Sequence, residues 1–296
     1  MTSNLGDHQL KRPEWLKAKL PAGPNYADLV QIMRAQGLHT VCEEARCPNI
    51  GDCWERRTAT FLALGNLCTR NCAYCAIAHG LPTELDLAEP ERVARAVQAM
   101  GLRHAVITSV NRDDLADGGA GIFAAIIAKI HQYLPECTVE VLIPDFKGDA
   151  AALQMVLDAG PEILGHNIES VPRVFKIVRH GGGYERSLEL LRRAKEWGYT
   201  AFTKSGIIAG MGETWGELLH TMADLRAVGC DLLTLGQYLQ PTKMHLPVDR
   251  WVNPDEFAEH AQMGKAMGFA HVEAGPLVRS SYHAGKQLSR AVAALA

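Results

Sequence analysis

Residues 58–75 read TATFLALGNLCTRNCAYC, an apolar run that ends at Gly65 and Asn66 and gives way to cysteines at 68, 72 and 75. The first half has the composition of a buried strand, the second that of a ligand-bearing loop. A strand running straight into a functional loop is the repeating unit of a β/α barrel. The rest of the chain repeats it. Strand patterns recur at 104–110, 138–146, 162–170, 200–210 and 231–239, with a short seventh at 270–275. Between them, 90–100, 120–134, 149–159, 184–197, 215–228 and 254–267 carry apolar residues at helical spacing. Gly101, Gly160, Gly198, Gly229 and Gly268 stand at or near helix ends. Six β–α units with nearly continuous apolar strands predict an α/β fold, a parallel sheet covered by helices. Closure takes eight units, so the expectation is a partial (β/α)6 barrel over 58–275. Residues 1–57 and 276–296 are read as N- and C-terminal extensions.

Six of the eight cysteines fall between positions 42 and 75. Cys42, Cys47 and Cys53 are spaced C-x4-C-x5-C; Cys68, Cys72 and Cys75 are spaced C-x3-C-x2-C. A disulfide framework suits small secreted domains, and this chain of 296 residues has no apolar signal core at its start. Structural zinc usually takes four ligands, as two C-x2-C-like pairs or as cysteines followed by histidines. Here each group has three cysteines, and only Cys72 and Cys75 form a C-x2-C pair. Three thiolates with one open or unusual position suit an iron–sulfur cluster with a reactive iron. Cys137 and Cys230 stand alone beside strand patterns and read as buried, inert thiols.

A hydrophobic fraction of 47% and a charged fraction of 21% are ordinary for a soluble globular protein. The net charge of −3 gives no global case for nucleic acid as a partner, and no apolar run reaches bilayer length. The expectation is a cytoplasmic protein that binds neither nucleic acid nor membrane.

Barrel function gathers at the C-terminal ends of the strands. The Cys68–Cys75 loop lies there, and so do NRDDLADGGAG (111–121), NIES (167–170) and GIIAGMGE (206–213). Each alone reads equally well as a turn, a strand end or loop geometry. Their convergence on the rim that holds a cysteine triplet points to a shared ligand.

C-x3-C-x2-C after the first strand of a partial barrel resembles the radical S-adenosylmethionine (radical SAM) superfamily. The resemblance implies that Cys68, Cys72 and Cys75 hold a 4Fe–4S cluster whose open iron receives SAM. Reductive cleavage of SAM then gives a 5′-deoxyadenosyl radical that abstracts hydrogen from an unactivated carbon. By the same resemblance Gly118 and Gly119 meet the SAM amino group and Glu169 the ribose. Gly206, Ile208 and Gly210, with Glu213, form the G-x-I-x-G-x-x-E pattern beside the adenine. Asn167 and Lys204 complete the expected cofactor contacts.

The second triplet narrows the resemblance. Together with TSVNRDDLADGGA, VEVLIPDF, HNIESVPR, YERSLELL, TKSGIIAGMGET, LTLGQYLQPT, HLPV and GPLVRSSYHA, it is similar to the lipoyl synthase family over about residues 40–285. This implies an auxiliary 4Fe–4S cluster on Cys42, Cys47 and Cys53, with a serine of RSSY as fourth ligand. Ser280 and Ser281 are the candidates, and Ser281 is preferred, as a ligand that must leave iron during catalysis. The implied reaction inserts two sulfur atoms, taken from that cluster, at carbons 6 and 8 of a protein-bound octanoyl-lysine. The implied partners are octanoylated lipoyl carrier domains: E2 subunits of 2-oxoacid dehydrogenases and the glycine cleavage H protein. An electron donor such as ferredoxin or flavodoxin and iron–sulfur repair proteins are implied as well.

Two departures from the family pattern stand out. VRHGGGYERSL replaces the commoner V-R-P-G-A-x-Y form, and losing that proline is expected to loosen the loop after Arg179. Asn111 stands where many relatives carry aspartate, which removes a charge from the rim. Two other classes compete. A radical SAM methylthiotransferase would add a C-terminal RNA- or protein-binding β domain, and no such pattern follows residue 276. A two-cluster electron carrier needs neither a SAM-binding rim nor a serine ligand.

Overall fold

A computed structural model of the chain describes residues 10–199 and 202–295. Helix α1 (Pro24–Gln36) comes first, followed by strand β1 (His39–Thr40) and the short helices α2 (Val41–Glu44) and α3 (Ile50–Glu55). The barrel then begins with β2 (Thr60–Ala63), whose loop is bracketed by the parallel pair β3 (Leu67–Cys68) and β4 (Ala78–His79). Then come α4 (Glu89–Met100), β5 (His104–Ser109), α5 (Ala120–Tyr133), β6 (Thr138–Leu142), α6 (Ala150–Asp158) and β7 (Ile163–Gly165). Helices α7 (Pro172–Val178) and α8 (Tyr184–Glu196) lead to β8 (Phe202–Ala209), α9 (Trp215–Ala227), β9 (Leu232–Gln237), α10 (Pro254–Ala266), β10 (His271–Gly275) and α11 (Ala284–Leu295).

The main sheet has the order β1-β2-β5-β6-β7-β8-β9-β10. From β2 to β10 every pairing is parallel, as β–α–β connections require. The expected partial barrel is therefore present, and the short seventh strand pairs with β9 along its whole length. The expected helices recur with nearly unchanged ends because their stop and start signals are local. Gly101 closes α4 in the left-handed conformation, while Thr214 with Glu217 and Asn253 with Glu256 form capping boxes on α9 and α10.

Several expectations are corrected. The segment before residue 58, read as an extension, also adds an antiparallel edge to the sheet through β1, with His39 opposite Leu62 and Thr40 opposite Phe61. The 162–170 strand stops at Gly165, because Glu169 takes a left-handed φ of 68° and bridges only Ile207. The 138–146 strand stops at Leu142, ahead of Pro144 and of left-handed Phe146 and Lys147. Helix α11, which sequence periodicity did not reveal, covers the N-terminal ends of the strands. Its Leu288 and Ala291 pack with Ile163, Leu232, Phe202 and Ala270.

One buried ion pair lies inside the apolar core. Lys204 Nζ, on β8, sits 2.7 Å from Glu140 Oε1, on β6, and both side chains are 2% exposed. His104 Nε2 approaches the other oxygen at 3.5 Å. Burial opposes the charge on Glu140, yet Lys204 and His104 outweigh it and hold the carboxyl below its ordinary range. Removing one partner leaves a buried charge alone, whereas removing both leaves an apolar core. Lys204→Met is therefore expected to cost about 3–5 kcal/mol. Lys204→Met with Glu140→Leu should recover most of it. Thermal unfolding of the two variants is the check, and equal losses would contradict this account.

Candidate active site at the barrel rim

Cys68, Cys72 and Cys75 line a cleft at the C-terminal ends of the strands together with Asn111, Asn167, Glu169 and Arg179. The loop that carries them contains almost no secondary structure and is held by side chains. Arg70, 4% exposed, forks onto Asp113 at 2.7 and 2.8 Å and reaches the fully buried Asp145 at 2.6 Å. Burial alone would raise the Asp145 pKa; the bonds and charge of Arg70 outweigh it and bring it down to about 2. Arg186 holds the second Asp145 oxygen at 2.8 Å. On the other side, His245 Nε2 donates to the Cys75 carbonyl at 2.9 Å and Leu246 N to that of Ala73 at 3.0 Å.

The two departures from the family pattern acquire physical roles here. His180, in place of proline, bonds the Asn71 carbonyl through Nδ1 at 2.9 Å, so the loop expected to loosen is fastened to the cysteine loop. Asn111 donates its backbone N–H to Cys68 Sγ at 3.3 Å, and its side-chain Nδ2 lies 3.9 Å away. An aspartate there would offer only acceptors to a thiolate.

The expected cofactor residues divide. Asn167 and Glu169 line the cleft, joined by a 3.2 Å bond from Asn167 Nδ2 to Glu169 Oε1. Arg179 donates to the Asn167 carbonyl. Burial raises the Glu169 pKa, and the Arg179 charge opposes the rise. Gly206 and Ile208 act on Glu169 through backbone: Glu169 N donates to Gly206 O at 2.9 Å, and Ile208 N to Glu169 O at 2.8 Å. A Cβ on Gly206 would stand 2.8 Å from Asn167 Oδ1, so the glycine makes room for that side chain. Gly210 and Met211 give their N–H groups to the two Glu213 carboxylate oxygens at 2.6 and 2.9 Å. Gly118 and Gly119 are not on the cleft wall. Both have left-handed φ, and a Cβ on either would run into Phe146 or Leu64, so packing accounts for both. Lys204 is turned into the core and committed to Glu140, which corrects its assignment to the cofactor.

The other triplet assembles against the C-terminal segment. Cys42 lies in α2, Cys53 in α3, and Cys47 between them closes a turn from its N–H to the Cys42 carbonyl at 3.0 Å. The thiols are near enough for their charges to raise one another's pKa. Burial is the larger cause, pushing Cys42 up to about 11 and Cys53 to about 12. Asn49, buried in the same loop, donates to the Leu277 carbonyl at 2.6 Å. Thr60 Oγ1 donates to Ser281 Oγ at 2.7 Å, and the Thr60 backbone faces the Cys42 thiol. Ser281 is thus joined to Thr60, the residue whose backbone faces Cys42.

The donor sets fit iron–sulfur clusters. In a four-iron cluster each thiolate binds its own iron, and each site offers three free cysteines. Buried Trp54 turns its indole N–H toward the Cys42 thiol and favours the thiolate that would bind iron. Burial pushes Cys75 up to about 12 and raises Cys72 as well, so loading either site releases protons.

Comparison with known proteins agrees. Residues 62–225 match the radical SAM superfamily, and residues 2–47 the N-terminal domain of lipoyl synthase. A lipoyl synthase from Rubrobacter xylanophilus is 59% identical over 93% of this chain and 86% of its own length. One from Symbiobacterium thermophilum is 57% identical over 96% and 88%. The chain belongs to the lipoyl synthase family. It is accordingly a radical SAM enzyme, and that superfamily uses SAM with a 4Fe–4S cluster. Among solved structures, methylornithine synthase superposes with a TM-score of 0.51 at 15% identity, covering 64% of this chain and 55% of its own. HydG, a maturase of the FeFe-hydrogenase, superposes with 0.55 at 16%, covering 69% and 48%. These two show the fold alone.

Arg70, Asp113, Asp145, Asn49 and Thr60 escaped the sequence reading of this family member. Arg70 and Asn49 lie inside the cysteine spacings themselves, where a polar side chain has to be spent on holding the loop. Their partners are distant in sequence and carry no local signal.

His166, adjacent to Asn167, is fully buried, and burial first and Arg179 second lower its pKa from 6.5 to about 3. The unfolded chain therefore takes up a proton that the folded one refuses between these values. Stability is expected to fall as pH drops below about 6.5, by about 1.4 kcal/mol per unit from this group. Denaturant titrations at descending pH should show that slope, and His166→Gln should flatten it.

Proposed function

We propose that the protein inserts two sulfur atoms at carbons 6 and 8 of an octanoyl chain carried on a lysine of a lipoyl carrier domain. When bound, SAM and the rim cluster supply a hydrogen-abstracting radical, and the auxiliary cluster supplies sulfur. Cys68, Cys72 and Cys75 hold the rim cluster; Asn167 and Glu169 orient the cofactor beside it. Cys42, Cys47, Cys53 and Ser281 hold the auxiliary cluster. The observation that carries this reading is the Thr60–Ser281 bond, which draws a serine from the C-terminal segment to a triplet lacking a fourth ligand. An alkoxide is a harder ligand than thiolate and is more readily lost from iron by protonation. Thr60 Oγ1–H points at the oxygen where that charge lies. Consumption of the auxiliary cluster calls for repair proteins, and SAM cleavage for an electron donor such as ferredoxin or flavodoxin. The carriers are E2 subunits and the glycine cleavage H protein. The site of action is the cytoplasm; no helix among the described residues is long and apolar enough to cross a membrane.

Anaerobically reconstituted protein should hold about eight irons and eight sulfides, in two four-iron clusters. With SAM, reductant and an octanoylated peptide, Cys47→Ala should still release deoxyadenosine while sulfur insertion, followed by mass spectrometry, vanishes. Full lipoyl product from Cys47→Ala would remove this triplet from the reaction. Ser281→Cys should retain a cluster and SAM cleavage yet lose most product, since thiolate stays on iron. Ser280→Ala should be milder; the reverse ranking would move the ligand to Ser280.

A further inference from the structure

The C-terminal segment delivers a second group to the auxiliary site besides Ser281. Asn49 pins the Leu277 carbonyl, and Val278 N donates to Gly275 O at 3.0 Å, closing a turn that ends at Arg279. The Arg279 side chain then passes over Gly236 of β9. A Cβ at that glycine would stand 3.2 Å from Arg279 Nη1 and would collide with the Val278 carbonyl. The hydrogen bond given to this guanidinium is with its own neighbour, from Nη1 to Val278 O at 2.6 Å. Among the described residues no carboxylate pairs with it. The residue is half-buried, and the ionisable group its charge bears on is the Cys47 thiol. The other charges bearing on the triplet do not balance it. Glu43 and Asp52 are acidic, and Arg56 is already bonded to Asp52 at 3.2 Å.

A half-buried cation with no acid partner, held in the segment that Asn49 pins beside Cys47, is free to face an anion there. Three thiolates and an alkoxide exceed the charge of an oxidised four-iron core, so the bound cluster is net anionic. We propose that Arg279 is the counter-charge of the auxiliary site, a positioning residue whose guanidinium offsets the cluster's negative charge and sets its potential. The inference rests on the two-cluster reading above and extends it to a residue outside the ligand set. Reduction adds a negative charge, so a nearby cation favours the reduced form and its loss lowers the potential.

The test uses the full chain carrying Cys68→Ala, Cys72→Ala and Cys75→Ala, in which the auxiliary cluster is the one left to measure. Redox titration followed by electron paramagnetic resonance reads its potential without reference to activity. In that parent, Arg279→Met should lower the reduced-to-oxidised ratio at a fixed potential by about tenfold, which for a one-electron couple is about 59 mV. Arg279→Lys should keep most of the parent's potential. If Arg279→Met titrates at the parent's potential, the inference is overturned. If Arg279→Met binds no cluster and Arg279→Lys does, the need for charge is upheld. Loss of cluster from both would make the requirement one of shape and overturn it. A parent that binds no cluster removes the auxiliary site itself, and this inference with it.

Discussion

The buried fork between Arg70 and the carboxylates of Asp113 and Asp145 is the interaction on which the rim depends. Two-residue strands are all that bracket the cysteine loop, far too little to fix three thiols. Arg70 anchors it to the residues following β5 and β6 in a single contact. Its guanidinium is tolerated in the interior because two carboxylates are aimed at it, and removing both would leave a buried charge at a cost of several kcal/mol. Since Asp113 and Asp145 stand where neighbouring strands end, the register of the parallel sheet decides where the cysteines lie. Fold and chemistry are coupled through that one side chain.

A second constraint joins the two triplets. Cys42, Cys47 and Cys53 lie before the barrel in sequence and Ser281, their proposed partner, after it, so no local interaction brings them together. Asn49 on Leu277 and Thr60 on Ser281 accomplish this across more than two hundred positions of chain. Thr60 is itself the first residue of β2, the strand that leads into the other triplet. Both sites are therefore referred to the same strand, which suits a reaction in which a radical made at one must meet sulfur held at the other. Helix α11 continues directly from the serine segment to the far end of the barrel, anchoring this closure against the strand starts.

The parts of this arrangement that sequence made legible are those with short-range signals. Helix spans followed from apolar periodicity and glycine or capping-box ends, and both cysteine sets followed from spacing. Strand ends were overextended where backbone took left-handed turns at Glu169, Phe146 and Lys147, since non-glycine residues give no warning of that conformation. Lys204 illustrates the other limit. A lysine inside a motif on a functional strand invites a ligand role, and only its pairing with Glu140, 64 positions away, shows that it belongs to the core. The glycines at 118 and 119 leave room for the bulk of Phe146 and Leu64, contacts that their spacing in sequence does not show.

The central claim is that Cys42, Cys47, Cys53 and Ser281 hold a cluster whose sulfur becomes product sulfur. It is tested most directly by reconstituting the protein with heavy-isotope sulfide, removing all free sulfide, and allowing a single turnover on an octanoylated carrier peptide. The account predicts that both sulfurs in the lipoyl product carry the heavy isotope, even when ordinary sulfide is present in the medium. Product carrying ordinary sulfur from solution would contradict it.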